Sequence, residues 1–106
     1  MAEQKLLGKR AIVTGGATGI GYGIAERFIA EGANVIITDI DETGGTRAAL
    51  ALGDHCQFVR HDVSVPEHWN ALFVIAQGKF SGLDILVNVA GVTLMGNIEE
   101  LDVASW

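Results

Sequence analysis

The sequence predicts an α/β protein in which a parallel β-sheet carries helices on both faces. Short apolar runs alternate along the chain with longer stretches of helical periodicity, a pattern typical of repeated β-α-β units. The runs are apolar on successive residues, as strands buried on both faces are. Two of them, at 35–37 and 85–87, are rich in β-branched side chains, which favours strands over buried helix segments. We expect strands at residues 11–14, 34–38, 57–60 and 84–88.

The first helix is predicted to begin near Gly19 and to follow the first strand closely. Ile20, Ile24 and Phe28 recur at intervals of four, so they predict one apolar face. Gly32 stands where a C-terminal cap belongs, because glycine readily adopts the left-handed conformation found there.

Two further helices are predicted. The segment 41–53 is expected to be the weaker one, since Gly44 and Gly45 each cost about 1 kcal/mol relative to alanine in a helix. The sequence Ser64-Val65-Pro66-Glu67 resembles a capping box with proline in the first turn. An apolar stripe that we expect to face the core follows at helical spacing: Trp69, Leu72, Phe73, Ala76 and Phe80.

Composition indicates one globular domain, residues 1–106, with 49% apolar and 19% charged residues. Seven Lys and Arg against thirteen Asp and Glu give a net charge of −6, which repels phosphate backbones and anionic lipid. We therefore expect neither a nucleic-acid nor a membrane partner. The first residues place an acid, Glu3, where a signal peptide needs positive charge, and they lack its long apolar region. No apolar run reaches the length of a membrane span. A soluble, cytoplasmic protein is the simplest expectation.

Cysteine and histidine give little sign of chemistry. The single cysteine, Cys56, cannot form an internal disulfide and is expected to be a buried, small apolar residue. His55, His61 and His68 have no nucleophile or metal-ligand spacing, so we expect surface or turn positions and no metal site.

The stretch T-G-G-A-T-G-I-G, residues 14–21, lies between the first strand and the first helix. A helix that begins there directs unpaired N–H groups and a positive dipole end at the turn, which suits a phosphate. Gly15 permits the tight turn, Gly19 lets the backbone approach a pyrophosphate, and Gly21 lets the helix pack on the strand. A glycine-rich connection without a ligand is the alternative.

An acidic residue, Asp39, follows the second strand and lies 18 residues beyond Gly21. Dinucleotide-binding folds place an acid near this position, on the adenosine ribose hydroxyls. Such a carboxylate favours NAD, because the 2′-phosphate of NADP would bring about two negative charges against it. The alternative is an ordinary turn aspartate.

Four landmarks stand in order along the chain, and together they resemble the short-chain dehydrogenase/reductase family over residues 7–106. They are Thr14-Gly15-x-x-x-Gly19-x-Gly21, Asp39, Asp62-Val63, and Asn88-Val89-Ala90-Gly91. The last departs from the family's common N-N-A-G, because Val89 replaces the second asparagine. We expect cofactor binding to survive this change, with the loss of a side-chain hydrogen bond that steadies the sheet.

This resemblance implies the N-terminal part of a Rossmann-like doubly wound sheet with strand order 3-2-1-4, and it implies a cofactor site for NAD. The pyrophosphate and the neighbouring ribose would lie against Gly15, Thr18, Gly19, Ile20 and Gly21. The adenosine end would lie against Asp39, Ile40, Asp62 and Val63, and the middle of the cofactor against Asn88, Ala90 and Gly91. Asp62 also fits a simpler role, as a turn residue before the helix that follows.

The family's catalytic tyrosine, with a lysine four residues later, has no counterpart in the sequence. The only tyrosine, Tyr22, is followed four residues on by Glu26. We therefore expect no catalytic residue in this chain, and we read it as the cofactor-binding half of an enzyme, truncated before the catalytic half. The resemblance implies a full-length oxidoreductase for a small alcohol or carbonyl substrate and a homo-oligomer, commonly a tetramer. A non-catalytic NAD-binding module, or an interaction fragment that pairs through its fourth strand, remains open as an alternative.

Overall fold

A computed structural model describes residues 4–80 and 82–89 of the chain, with a four-stranded parallel sheet at the centre. The strands are β1 (Arg10–Thr14), β2 (Asn34–Asp39), β3 (Cys56–Arg60) and β4 (Ile85–Asn88). Each bound lies within one residue of the predicted one. Their order in the sheet is β3-β2-β1-β4, which confirms the predicted order.

Strand β4 begins one residue later than predicted, because Asp84 turns its carboxylate towards β1. The side-chain Nε of Arg10 and its backbone N–H both donate to Asp84 Oδ2 at 2.8 Å. The backbone N–H of Asp84 donates in return to the Arg10 carbonyl at 2.9 Å. These hydrogen bonds join the amino ends of β1 and β4, which are neighbours in the sheet.

Three helices cover the sheet: α1 (Gly19–Ala30), α2 (Glu42–Leu52) and α3 (Pro66–Phe80). Alternate strand residues point to opposite faces, so each strand contributes to two apolar cores. One core joins the sheet to α1 and α2 and includes Ala11, Val13, Ala25, Val35, Ile37 and Ala48. The other joins it to α3 and includes Ile12, Ile36, Leu72, Ala76 and Leu86. Helices therefore lie on both faces, as the doubly wound prediction requires.

The apolar face predicted for α1 is wrong at its first position. Ile20 is 74% exposed, whereas Gly21 and Ala25 are buried against the sheet. Ile24 and Phe28 pack against the core, as expected. The helix is rotated towards Gly21 because the absence of a side chain there lets α1 approach the turn after β1. Ile20 is thereby left at the carboxyl edge of the sheet.

Gly32 terminates α1 as predicted. Its φ is +97°, and its N–H donates to the Ile29 carbonyl at 2.9 Å. The N–H of Ala33 donates to the Phe28 carbonyl at 3.0 Å. These two bonds form a Schellman motif, which satisfies carbonyls that the helix end leaves unpaired.

The two glycines of α2 do not interrupt the helix. The Asp41 carboxylate accepts a hydrogen bond from the Gly44 N–H at 3.0 Å and caps the helix start. A Cβ at Gly45 would collide with the ring of Phe58, which projects from β3. Glycine, a poor helix former, is required at position 45 because the ring of Phe58 occupies the space that a side chain would need.

The start of α3 differs from the predicted capping box. The hydroxyl of Ser64 donates to Asp62 Oδ1 at 2.6 Å, and the helix begins at Pro66. The predicted core stripe is confirmed at Leu72 and Ala76, which are buried. Trp69 and Phe73 pack partly buried beside them, and the side chain of Phe80 lies outside the described part of the structure. None of the helices in residues 4–80 and 82–89 has the length and apolar character needed to cross a membrane.

Candidate functional site

The candidate site lies along the edge formed by the carboxyl ends of the four strands. From β1 the chain passes outward to β2 and β3, and then returns to place β4 on the other side of β1. The topological switch point is therefore between Thr14 and Asn88, which are paired in the β1–β4 register. Open α/β sheets bind ligands at such a point.

The predicted site residues that the structure describes all lie at this edge. The glycine turn follows β1, Asp39 and Ile40 stand at the end of β2, Asp62 and Val63 follow β3, and Asn88 ends β4. Ala90 and Gly91, which were also predicted, lie outside the described residues.

The glycine turn has the backbone geometry expected from its sequence. Gly15 and Gly19 adopt positive φ angles of +68° and +61°, a region that side chains disfavour. A Cβ at Gly21 would collide with the carbonyl of Gly15, so the helix start and the turn are in direct backbone contact. A Cβ at Gly19 would meet no atom of the described residues within 4 Å. The space above Gly19 is thus open, as the approach of a phosphate to the backbone requires.

Gly16 is a structural requirement that the sequence analysis missed. A Cβ there would lie 2.6 Å from the Cβ of Ile37 in β2. Its N–H donates to the Thr38 carbonyl at 2.9 Å, which extends the β1–β2 ladder into the turn. The doubled glycine at 15–16 was the available signal, but the partner at Ile37 becomes evident only once the strands are paired.

The N-terminus of α1 carries no capping side chain. Thr18 occupies the N-cap position with extended backbone angles, and its hydroxyl makes no capping hydrogen bond. Within Gly19–Ala30, all of which is described, the first turn holds no acidic residue. The first N–H groups and the positive dipole end therefore face the open edge with no acidic side chain in the first turn of the helix itself, an arrangement that favours an anion.

Asp39 connects β2 to the glycine turn. Its Oδ2 accepts a hydrogen bond from the Ala17 N–H at 3.2 Å, and its Oδ1 accepts one from the Asp41 N–H at 3.1 Å. The second contact is that of an ordinary turn aspartate, whereas the first reaches across to the neighbouring strand connection. Each carboxylate oxygen keeps acceptor capacity for a further donor. Ile40, beside it, is 56% exposed.

The segment after β3 is held by a turn and by α3. Asp62 Oδ1 accepts hydrogen bonds from the Ser64 hydroxyl at 2.6 Å and from the Ser64 N–H at 2.9 Å. The hydroxyl contact, followed by the N–H contact, lowers the pKa of Asp62, so the carboxylate is charged at neutral pH. These contacts are those of a turn residue before a helix, and they leave Oδ2 for other donors.

One of the three histidines contradicts the expected surface or turn role. His61 is only 2% exposed, and its ring packs edge-on against Trp69 at a centroid distance of 4.5 Å. Its Nδ1 lies 3.3 Å from the Thr38 hydroxyl, while Nε2 is buried and has no hydrogen-bond partner among the described residues. Burial lowers the pKa of His61, so the ring is neutral at physiological pH. Aromatic packing, which the sequence pattern did not predict, thus decides its environment.

Cys56 is buried and free, as predicted. Burial raises the pKa of its thiol to about 11. The thiol is therefore protonated at neutral pH and is a poor nucleophile.

The hydroxyl of Thr14 links β1 to β4 at the switch point. It lies 3.1 Å from Asn88 Oδ1 and 3.3 Å from the Val87 carbonyl, and it can donate its one proton to either. It also accepts a hydrogen bond from the Val89 N–H at 3.2 Å. Thr14 thus holds the backbone of Val89 by a hydrogen bond, whereas the valine side chain at this position cannot form one.

Comparison with known proteins extends these observations. Residues 9–106 match the family model described as short chain dehydrogenase. A 3-beta-hydroxysteroid dehydrogenase of Comamonas testosteroni is 42% identical over 95 residues, which cover 90% of this chain and 37% of that protein. An NADP-dependent (R)-specific alcohol dehydrogenase of Lentilactobacillus kefiri is 39% identical over 104 residues, covering 96% of this chain and 41% of that protein.

A solved structure matches as well. The 3-ketoacyl-(acyl-carrier-protein) reductase from Brucella melitensis, crystallised in complex with NADH, aligns with a TM-score of 0.76 and 41% sequence identity. The alignment covers 78% of this chain and 34% of that one. The chain thus spans well under half the length of these proteins, one of which is described with NADP and another with NADH.

Proposed function

Because this chain belongs to the short chain dehydrogenase family, we propose that it is the cofactor-binding half of an NAD-dependent oxidoreductase. The full-length enzyme transfers a hydride between the nicotinamide and an alcohol or carbonyl substrate. The observation that carries the proposal is the open glycine turn at the uncapped start of α1, with the carboxylate of Asp39 hydrogen-bonded to it.

The turn binds the pyrophosphate and the neighbouring ribose in this proposal. The open space above Gly19 and the first N–H groups of α1 fit a phosphate. The hydroxyl of Thr18 makes no capping hydrogen bond and can therefore bind the ligand. Gly15 and Gly21 keep the turn close to the helix start, and Ile20 stands exposed beside the ligand.

The adenosine end extends along β2 and β3. Asp39 accepts hydrogen bonds from the ribose hydroxyls, and the exposed side chains of Ile40 and Val63 border the adenine. Asp62 accepts from the adenine amino group through its carboxylate. Asn88, with Ala90 and Gly91 beyond it, lines the middle of the cofactor.

Charge favours NAD over NADP at this site. The 2′-phosphate of NADP adds about two negative charges. At about 4 Å from a carboxylate such as that of Asp39, each like-charge pair costs between about 1 and about 4 kcal/mol, depending on solvent screening. No lysine or arginine occupies residues 14–21 or the position after Asp39 to offset this repulsion.

NAD, when bound, supplies or accepts the hydride. The residues named above bind and orient it, whereas the acid or base that moves the proton belongs to a further part of the protein, because Tyr22 lacks the lysine partner. We place the full-length protein in the cytoplasm as a homo-oligomer, a tetramer by analogy with the family.

Calorimetric binding of NAD to the full-length protein tests the proposal, with Gly19→Ala and Gly8→Ala as a matched pair. Both glycines have positive φ, +61° and +76°, and a Cβ at either would meet no atom within 4 Å among residues 4–80 and 82–89. Gly8 precedes β1 at the opposite edge of the sheet. Both variants therefore carry similar backbone strain, but only the methyl group at position 19 enters the pyrophosphate space.

We expect Gly19→Ala to weaken NAD binding by about tenfold or more, equivalent to about 1.4 kcal/mol, while Gly8→Ala binds as the wild type does. Absence of NAD binding to the folded wild type would contradict the proposal. So would an equal loss of affinity in both variants, since it would attribute the effect to strain in the fold.

A further inference from the structure

Side chains in the first turn of α3 form hydrogen bonds with Asp62 and Val63, the two residues that the proposed function places at the adenine. The N–H of Asp62 donates a hydrogen bond to Nδ1 of His68 at 2.9 Å. The indole Nε1–H of Trp69 donates to the carbonyl of Val63 at 2.9 Å. Two consecutive side chains of α3 therefore fix the backbone of Asp62 and Val63.

The contact between Asp62 and His68 determines the protonation state of the imidazole. A backbone N–H can only donate, so Nδ1 of His68 must present its lone pair, and the proton of the neutral ring lies on Nε2. In the protonated ring both nitrogens carry hydrogen, and Nδ1 would then face the Asp62 N–H as a second donor. Protonation of His68 is therefore incompatible with this hydrogen bond.

We infer that His68 is a positioning residue for cofactor binding: its neutral ring holds Asp62 and Val63 in place, and its protonation releases them and weakens binding of the adenosine end. The inference rests on the proposed function, because it requires the cofactor to reach Asp62. It adds a pH-sensitive contact at a position that the cofactor itself does not touch.

Several charged or titratable groups surround His68. The pKa of the Asp62 carboxylate is lowered first by the hydrogen bonds from Ser64, and also by the charges of His68 and of Arg60 at the end of β3. His61 directly precedes Asp62, and the centroid of its ring lies 6.0 Å from that of His68. Glu67 precedes His68 on α3. His61 is buried, and its pKa is lowered by burial and then by the charge of His68. The hydrogen bond to the Asp62 N–H is made by Nδ1 of His68 and not by His61, so the pH response of the contact is assigned to the ring of His68.

The test compares NAD and adenosine diphosphate ribose binding by the full-length wild type, His68→Asn and His68→Ala at about pH 8 and about pH 5.5, the range in which histidine changes charge. Asparagine offers a carbonyl oxygen near the position of Nδ1 and does not titrate, whereas alanine removes the acceptor. Both probes carry the adenosine end, so they should respond alike.

Wild-type affinity is expected to fall by about threefold to tenfold at the lower pH, the effect of losing one hydrogen bond. His68→Asn should bind as the wild type does at the higher pH and lose most of the pH dependence. His68→Ala should bind weakly at both values. A purely structural role would weaken both variants alike and leave the pH dependence in place.

The inference is overturned if wild-type binding does not change with pH, or if His68→Asn keeps the wild-type pH dependence. If His68→Ala does not fold, the pH profile of His68→Asn decides alone. A wild type that binds neither probe at the higher pH would overturn the proposed function and this inference with it, so the two failures are distinguishable.

Discussion

The backbone N–H of Ala17 donates a hydrogen bond to the Asp39 carboxylate at 3.2 Å, and thereby joins the glycine turn after β1 to the end of β2. The other carboxylate oxygen accepts from the Asp41 N–H at 3.1 Å. With both oxygens engaged, the carboxylate is held beside the turn before any ligand arrives. A fixed negative charge discriminates between ligands more sharply than a mobile one, because it cannot move away from a like charge.

This arrangement leads to a prediction about cofactor preference. We expect Asp39→Ser combined with Ile40→Arg to shift the ratio of NAD to NADP affinity towards NADP by about tenfold to a thousandfold, which corresponds to about 1 to 4 kcal/mol. The substitution removes the repelling carboxylate and adds a guanidinium at a position that is 56% exposed and has room for it. Calorimetric titration with both cofactors measures the ratio.

The single substitution Ile40→Arg is the control, because it adds the positive charge and keeps Asp39. It should shift the ratio less than the double variant does. Equal affinity of the wild type for both cofactors, or an unchanged ratio in the double variant, would mean that Asp39 is only a turn residue.

A second prediction concerns the glycines inside helices. Gly45→Ala should destabilise the protein by about 1 to 3 kcal/mol, since its methyl group collides with the Phe58 ring. Gly23→Ala should stabilise it by up to about 1 kcal/mol, because a Cβ there meets no atom within 4 Å in the described part of the chain and alanine favours a helix. Urea unfolding of both variants gives the comparison. Combining Gly45→Ala with Phe58→Leu should recover part of the loss, and no recovery would assign the strain elsewhere.

These glycines illustrate what the sequence could and could not predict. The cap at Gly32 and the turn at Gly15 and Gly19 were predictable, because a positive φ is a property of the backbone itself. Gly45 was not, because its reason lies in Phe58, a residue of another element. Helix propensity predicts only that Gly45 weakens the helix, and not that the position has no room for a side chain.

The same distinction applies to the candidate site. The position of Asp39 followed from strand order and from the direction of the strands, so its place at the carboxyl edge was predictable. The contacts of His61 and His68 depend on how α3 packs against the segment after β3, and no periodicity encodes that packing. The exposure of Ile20 depends likewise on the approach of Gly21 to Gly15, which sets the rotation of α1.

The third prediction concerns the hydroxyl that joins β1 to β4. Thr14→Val keeps the side-chain volume but leaves the Val89 N–H without its acceptor, so we expect a loss of about 1 to 2 kcal/mol of stability. Hydrogen exchange at the Val89 amide should become faster. Thr14→Ser removes the methyl group and keeps the hydroxyl, so its amide exchange should remain slow even if stability falls. Slow exchange in Thr14→Val would show that another group holds this amide.

The last prediction is a pH dependence of stability due to His61. Because burial lowers the pKa of this ring below its ordinary value of 6.5, the unfolded state binds a proton more readily than the folded state. Its contribution to stability is therefore fully present above pH 6.5 and declines below that value, until it is lost as the pH falls through the lowered folded-state pKa. We expect the free energy of unfolding to decrease over this interval, and His61→Asn to remove part of the decrease. Urea unfolding at a series of pH values measures the slope, with His68→Asn present in both proteins so that the neighbouring imidazole is absent from the comparison. An identical slope with and without His61 would mean that the buried ring accepts its proton as easily in the folded state as in the unfolded chain.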